Sequence, residues 1–198
     1  MKQIAIAIVL ILLGGCSVQQ SVSPSTSYRL KPLMTSSASA AEGCAEKTLR
    51  VSLTHSSNLM QNQSIYYVDE AYGEYSYSRS RWIESPSKQF RHLLEDTVAR
   101  NGAFKSVITY NSQAYNDMLL ESKIMDFMQY FEGKTSYVRL VVQLTLIDQD
   151  TRKVISTHYV EKRKATETAD AEGAVKAFNQ LVQEMLSETV EWLNGECN

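Results

Sequence analysis

No stretch of this chain is apolar for long enough to cross a bilayer: the longest run, residues 4–13, is about half of the roughly 20 residues that a spanning helix needs. Histidine is scarce as well. His55, His92 and His158 stand alone, with no His-Glu-x-x-His or other ligand spacing, so no metal site is expected. His92 falls beside a helical stripe and His158 inside a strand pattern, where a histidine is ordinarily a surface or partly buried side chain. The eight glycines never cluster into a phosphate cradle, and Gly-x-Ser-x-Gly and Cys-x-x-Cys are both missing, which removes the common nucleotide, hydrolase and thiol chemistries. Glu121, Asp126 and Glu132 lie near one predicted strand and read as surface charge rather than as an acid/base pair. Twenty basic and 22 acidic residues give a net charge of −2 with no run of one sign, so a nucleic-acid surface is not expected. The reading at this point is no enzyme, no catalytic residue and no cofactor.

What is present begins at the N-terminus. Lys2 supplies a positive start, residues 4–13 an apolar core, and Leu13-Gly14-Gly15-Cys16 closes the segment. This arrangement reads as a lipoprotein signal peptide and resembles the bacterial lipobox. The resemblance implies that the Cys16 thiol receives a diacylglycerol, that residues 1–15 are removed, and that the new terminus is acylated with a palmitate-type chain. Two or three chains suffice for stable anchoring, whereas one holds only marginally. The alternative is an ordinary secretory signal with a chance cysteine. Ser17 follows in place of an aspartate, which by resemblance to bacterial lipoprotein sorting favours the outer membrane, facing the periplasm.

Removing the leader leaves about 180 residues, a length for one domain with a substantial core. Two cysteines remain, Cys44 and Cys197, and in an oxidising compartment an even pair is most simply a disulfide; two free thiols are the alternative. Residues 16–43 are rich in Ser, Thr, Ala and Gln and are expected to form a lipidated flexible tether. The exception is the patch around Tyr28 and Leu30, which can add an edge strand ended by Pro32.

Residues 44–198 form the expected folded domain. Residues 48–53 alternate as a strand, and residues 65–68 and 74–78 are β-prone runs separated by Gly73, a hairpin or extended flap. Ser85-Pro86 is a helix start, Phe90, Leu93, Leu94, Thr97 and Val98 form one stripe, and Asn101-Gly102 is a stop. Strands follow at 104–110, 118–131, 137–147 and 154–162. In the third of these Val138, Leu140, Val142, Leu144 and Leu146 share a face. A second helix starts near Asp170 and carries Ala174, Phe178, Leu181, Val182, Met185 and Thr189 inward. Two one-striped helices and a sheet with one wet face predict an α+β fold, a largely antiparallel sheet with both helices on one face.

Tyrosine is abundant, with 11 residues against five phenylalanines. Tyr66, Tyr67, Tyr72, Tyr75, Tyr77 and Trp82, interleaved with Arg79 and Arg81, are candidates for a partner-binding surface, because such side chains combine contact area with polar tips. A packed sheet edge is the other reading.

Taken in order, the lipobox, Tyr28-Arg29-Leu30, the strand at 49–53, Trp82-Ile83-Glu84, Asp126-Phe127, the strand ending at Asp148, and the helix through Phe178-Asn179-Gln180-Leu181 to Trp192-Leu193 resemble the ABC-type transport auxiliary lipoprotein component family. The resemblance spans nearly the whole mature chain. Residues 55–61 depart from the family's pattern, which often has a proline and an Asp-Arg turn there. The resemblance implies an outer-membrane-anchored periplasmic component of an ABC system built around a mammalian-cell-entry (MCE) domain protein. Such a system moves phospholipid or another lipid between membranes. The implied partners are the membrane, through the N-terminal lipid, and the MCE protein; self-association into a homo-oligomer is left open. A lipoprotein that assists or plugs an outer-membrane β-barrel is the competing class.

Overall fold

The computed structural model describes residues 24–32 and 42–197. The lipobox and Cys16 lie outside those residues. Among the described residues no helix is long and apolar enough to cross a membrane. The strands are β1 (Thr26–Tyr28), β2 (Thr48–Val51), β3 (His55–Ser56), β4 (Ser64–Val68), β5 (Glu74–Trp82), β6 (Ser106–Ile108), β7 (Met118–Glu132), β8 (Thr135–Asp148) and β9 (Lys153–Ala165). The helices are α1 (Pro86–Asn101), between β5 and β6, and α2 (Ala171–Glu196) after β9.

The frame is an antiparallel meander. β7 pairs with β8 from Met118↔Asp148 to Glu132↔Thr135, and β8 pairs with β9 from Tyr137↔Ala165 to Asp148↔Lys153. Gly133, at φ 61°, makes the tight β7–β8 turn, a conformation glycine enters without a Cβ penalty. The other edge of β7 is shared by three short strands laid end to end and parallel to it: β2 at Leu49↔Met118, β3 at His55↔Lys123 and β4 at Tyr67↔Gln129. β6 then adds to β2, and β5 and β1 add to β4. The sheet is thus mixed, with the long ladders antiparallel and most of the short ones parallel.

Burial follows the pleat. Val138, Leu140, Val142, Leu144 and Leu146 of β8 are all fully buried, as their alternation requires. In β7 the same alternation holds only up to Ile124. A bulge between Ile124 and Asp126 leaves Met125 unpaired and half exposed, and moves Phe127 and Gln129 to the inner face and Asp126 to the outer one.

Both helices pack their stripes against this inner face and belong to one core. α1 begins with Pro86 after Ser85 and ends at Gly102, φ 74°, a left-handed cap. α2 is 26 residues, about 39 Å at 1.5 Å per residue. Gly173 in its first turn lies so close to the Thr168 carbonyl that any side chain would clash. At the centre of the core Phe178 of α2 stacks on Phe127 at 3.9 Å, and Trp82 at the end of β5 packs against both at 6.0 and 5.7 Å. Three otherwise separate elements meet through these rings. Phe178→Ala is therefore expected to cost about 3–5 kcal/mol of unfolding free energy, measured by chemical denaturation.

The N-terminal patch is held onto this body. β1 pairs in parallel with β5, Thr26 opposite Ser80 and Tyr28 opposite Trp82, so the edge strand expected around Tyr28 is present. Leu30 is buried, and its amide donates to Gln89 Oε1 of α1 at 2.8 Å, while the Lys31 amide donates to Asn179 Oδ1 of α2. Cys44 and Cys197 form a disulfide with Cα atoms 5.2 Å apart, joining the entrance of β2 to the end of α2.

Candidate functional site

The tyrosine-rich segment builds one end of the molecule. Between β4 and β5, Asp69 organises the turn: its carbonyl accepts from the Tyr72 amide at 3.1 Å, and its Oδ1 accepts from Ala71 N at 3.0 Å and Gly73 N at 2.8 Å. Tyr72, at φ 63°, is thereby carried out at the tip with 90% of its surface exposed. Tyr67 and Tyr75 stand directly opposite each other across the two strands, with ring centroids 5.6 Å apart. Tyr67 also meets Tyr77 at 4.9 Å and, edge-on, Phe131 of β7 at 5.4 Å.

These rings wall a cleft of about 660 Å³, open to solvent, whose other lining residues are Asp69, Glu70, Ala71, Gly133 and Ala169. The size lies in the usual range for small-ligand sites. Its floor is rigid. Tyr77 donates its hydroxyl to Gln129 Oε1 at 2.7 Å, and the fully buried Gln129 donates from Nε2 to Ser136 Oγ at 2.8 Å. Burial, with Asp170 and Tyr67 adding to it, pushes the Tyr77 phenol far above its ordinary range, so it stays a neutral donor. Glu70 Oε1 accepts from the Gly133 amide, which ties the hairpin to the β7–β8 turn across the cleft mouth. Both charged residues on the lining are acids.

Asp170 stands at the N-terminus of α2 and accepts from Gly173 N at 2.8 Å and from the Thr168 hydroxyl at 2.8 Å. Those bonds, the Gly173 amide first, hold its carboxyl below the usual range. Because the folded state favours the ionised form, the stabilisation is present above the unfolded pKa of about 3.9 and disappears as pH falls through the lower folded value. Asp170→Ala should cost about 1 kcal/mol at neutral pH, while Asp170→Asn, an equally good cap, should cost far less and lose the acid dependence. Urea titrations from neutral pH down to acid test both.

The expected partner-binding residues therefore separate. Tyr67, Tyr75 and Tyr77 share the cleft, and Tyr72 stands outside its lining at the hairpin tip. Tyr66 is half-buried, with its hydroxyl accepting from Asn62 Nδ2. Arg79 and Arg81 are exposed farther along β5, Arg81 donating to Ser27 Oγ of β1. Trp82 is 1% exposed and is a core residue, unavailable to a partner. The cause is an irregular register: Tyr66 lies opposite Ser76 but Ser64 opposite Arg81, so the pleat does not carry through the strand. Phe131, Glu70 and Gly133 were not signalled by the sequence, because the fold alone brings the β7–β8 turn to the hairpin.

On the outer face, Arg139 pairs with Asp126 at 3.0 Å and Glu161 at 2.8 Å, and Tyr130 donates to Asp126 Oδ2 at 2.6 Å. Asp126, expected as surface charge, is instead buried, and desolvation raises its carboxyl pKa against the pull of Tyr130 and Arg139. The group braces three neighbouring strands. Glu121 is half-buried opposite Thr145 of β8, and Glu132 is exposed and paired with Arg163 at 2.9 Å. His158 stacks on Trp192 and contacts Glu188 at 3.1 Å, and His92 lies by Glu95. Among the described residues no group of three or more His, Cys, Asp or Glu is placed to hold a metal ion.

Residues 28–190 match the model of the ABC-type transport auxiliary lipoprotein component family. A crystal structure of a protein from Xanthomonas campestris resembles this fold with a TM-score of 0.76 at 14% identity, covering 86% of this chain and 96% of that one. A structure of an uncharacterized protein gives 0.67 at 11% identity over 86% and 99%. A hypothetical protein from Chlamydia trachomatis gives 0.54 at 7% identity over 77% and 98%. At these identities the likeness is one of fold. No curated protein matches the sequence.

Proposed function

This chain belongs to the ABC-type transport auxiliary lipoprotein component family, and from that premise we propose that it is anchored to the outer membrane through lipidated Cys16 and docks the MCE protein of an intermembrane lipid transport system from the periplasmic side. The observation that carries the reading is the extent of the family match, which takes in the clamped N-terminal patch, the sheet and most of α2. The lipobox-like Leu13-Gly14-Gly15-Cys16 supports the anchor.

The role is one of docking, with no chemical step. Thr26, the first residue of β1, stands ten positions after Cys16, and an extended chain of that length spans at most about 35 Å. The domain therefore works close to the membrane that holds its lipid. It cannot bridge two membranes alone.

The test is cross-linking in intact cells followed by detergent extraction and identification of the captured proteins. The expected result is an MCE-domain protein together with the ATPase and permease of one transporter. Capture of an outer-membrane β-barrel in their place would overturn the reading in favour of a barrel-assembly role.

A further inference from the structure

We propose that the aromatic cleft binds the ammonium-bearing headgroup of a phospholipid in the membrane that holds Cys16. Three independent features lead there. The walls are the faces and edges of Tyr67, Tyr75, Tyr77 and Phe131, and aromatic faces attract a cation through their quadrupole. The only charged residues on the lining are Asp69 and Glu70, and no lysine or arginine is among them. An acyl chain would set hydrocarbon against two carboxylates, which is costly, whereas an ammonium satisfies carboxylate and ring together.

The third feature is direction. Because β1 runs parallel to β5 with Thr26 opposite Ser80, β1 starts on the hairpin side, where β5 begins at Glu74. From Ser80 back to Gly73 is about 23 Å at 3.3 Å per residue, within the roughly 35 Å that ten residues can span. The lipid attachment point can thus lie level with the hairpin tip. There Tyr72 is almost wholly exposed and Tyr75 half exposed, the kind of side chain that settles at a membrane–water boundary. This placement rests on lipidation of Cys16; the chemistry of the cleft does not.

The experiment uses the mature full chain inserted in nanodiscs of phosphatidylglycerol, titrated with soluble glycerophosphoethanolamine and, separately, glycerophosphoglycerol, with binding read by saturation-transfer NMR. The ethanolamine compound should bind at least about tenfold more tightly, a difference of about 1.4 kcal/mol. Glu70→Gln keeps an acceptor for the Gly133 amide but removes the charge, and should weaken that binding about fivefold with the unfolding temperature unchanged. Tyr75→Leu should do the same through loss of a ring. Equal binding of the two compounds, or no effect of Glu70→Gln, would overturn the proposal. So would binding of Nα-acetyl-lysine amide without glycerophosphoethanolamine, which would assign the cleft to a basic side chain of a protein partner. Failure of the anchor shows separately, as a chain that does not enter nanodiscs; the same titration on that free chain still tests the cleft.

Discussion

Replacing both Cys44 and Cys197 by alanine should lower the unfolding free energy by about 3–5 kcal/mol. The bridge closes a loop of sequence separation 153, for which the chain-entropy model gives about 5 kcal/mol, less whatever strain the native state carries. It also fastens the last turn of α2 to the start of β2, and both sulfurs are buried in the core. A domain of this size is stable by only about 5–15 kcal/mol, so the loss should be a large fraction of the whole. The double substitution is preferred to a single one because a lone buried thiol brings its own chemistry. Guanidinium titrations of the oxidised protein, the reduced protein and the double variant measure the effect. Reduction should shift the midpoint as far as substitution does; a shift worth less than about 1 kcal/mol would mean that the bridge contributes little.

The second large effect concerns location. Under the proposed anchoring, Cys16→Ala should move nearly all of the protein from the membrane to the soluble fraction, because it removes the thiol that would carry the diacylglycerol. Two acyl chains hold a protein stably, at about 0.8 kcal/mol per buried methylene, while a headgroup contact of the kind proposed for the cleft is far weaker. Fractionation with a carbonate wash distinguishes the cases. Retention of the variant on washed membranes would place the anchor elsewhere.

The chemistry of individual residues explains what the sequence made visible. The alternation from Val138 to Leu146 marks β8 because one face of that strand is fully buried, and an α+β sheet with two helices on one face follows from it and from the stripes of α1 and α2. Pro86 at the first helical position, the left-handed Gly102 and the capping Asp170 mark helix ends because these signals are local, although the Ser85 side chain makes no capping bond. Parallel pairing of β2, β3 and β4 along one edge of β7 has no such mark, since parallel register is set by contacts distant in sequence. The bulge at Met125 is equally silent, and it alone decides that Asp126 faces outward in an ion-pair network while Phe127 enters the core.

The cleft was half legible. Tyr67, Tyr75 and Tyr77 announce themselves by the abundance of tyrosine in two neighbouring β-prone runs. Trp82 belongs to the same expected surface as Tyr66, Tyr72, Arg79 and Arg81, and only the slipped register between β4 and β5 turns it into the core. Glu70 and Phe131 gain meaning only when the hairpin meets the β7–β8 turn.

The proposed docking role requires that fatty chains on Cys16 hold the domain to a bilayer. Intact-mass and N-terminal peptide mass spectrometry of the protein extracted from membranes tests this most directly. The expected spectrum begins at Cys16, carrying a diacylglycerol thioether and an acylated amine, with no trace of residues 1–15. A mature chain whose N-terminus carries no lipid would contradict it.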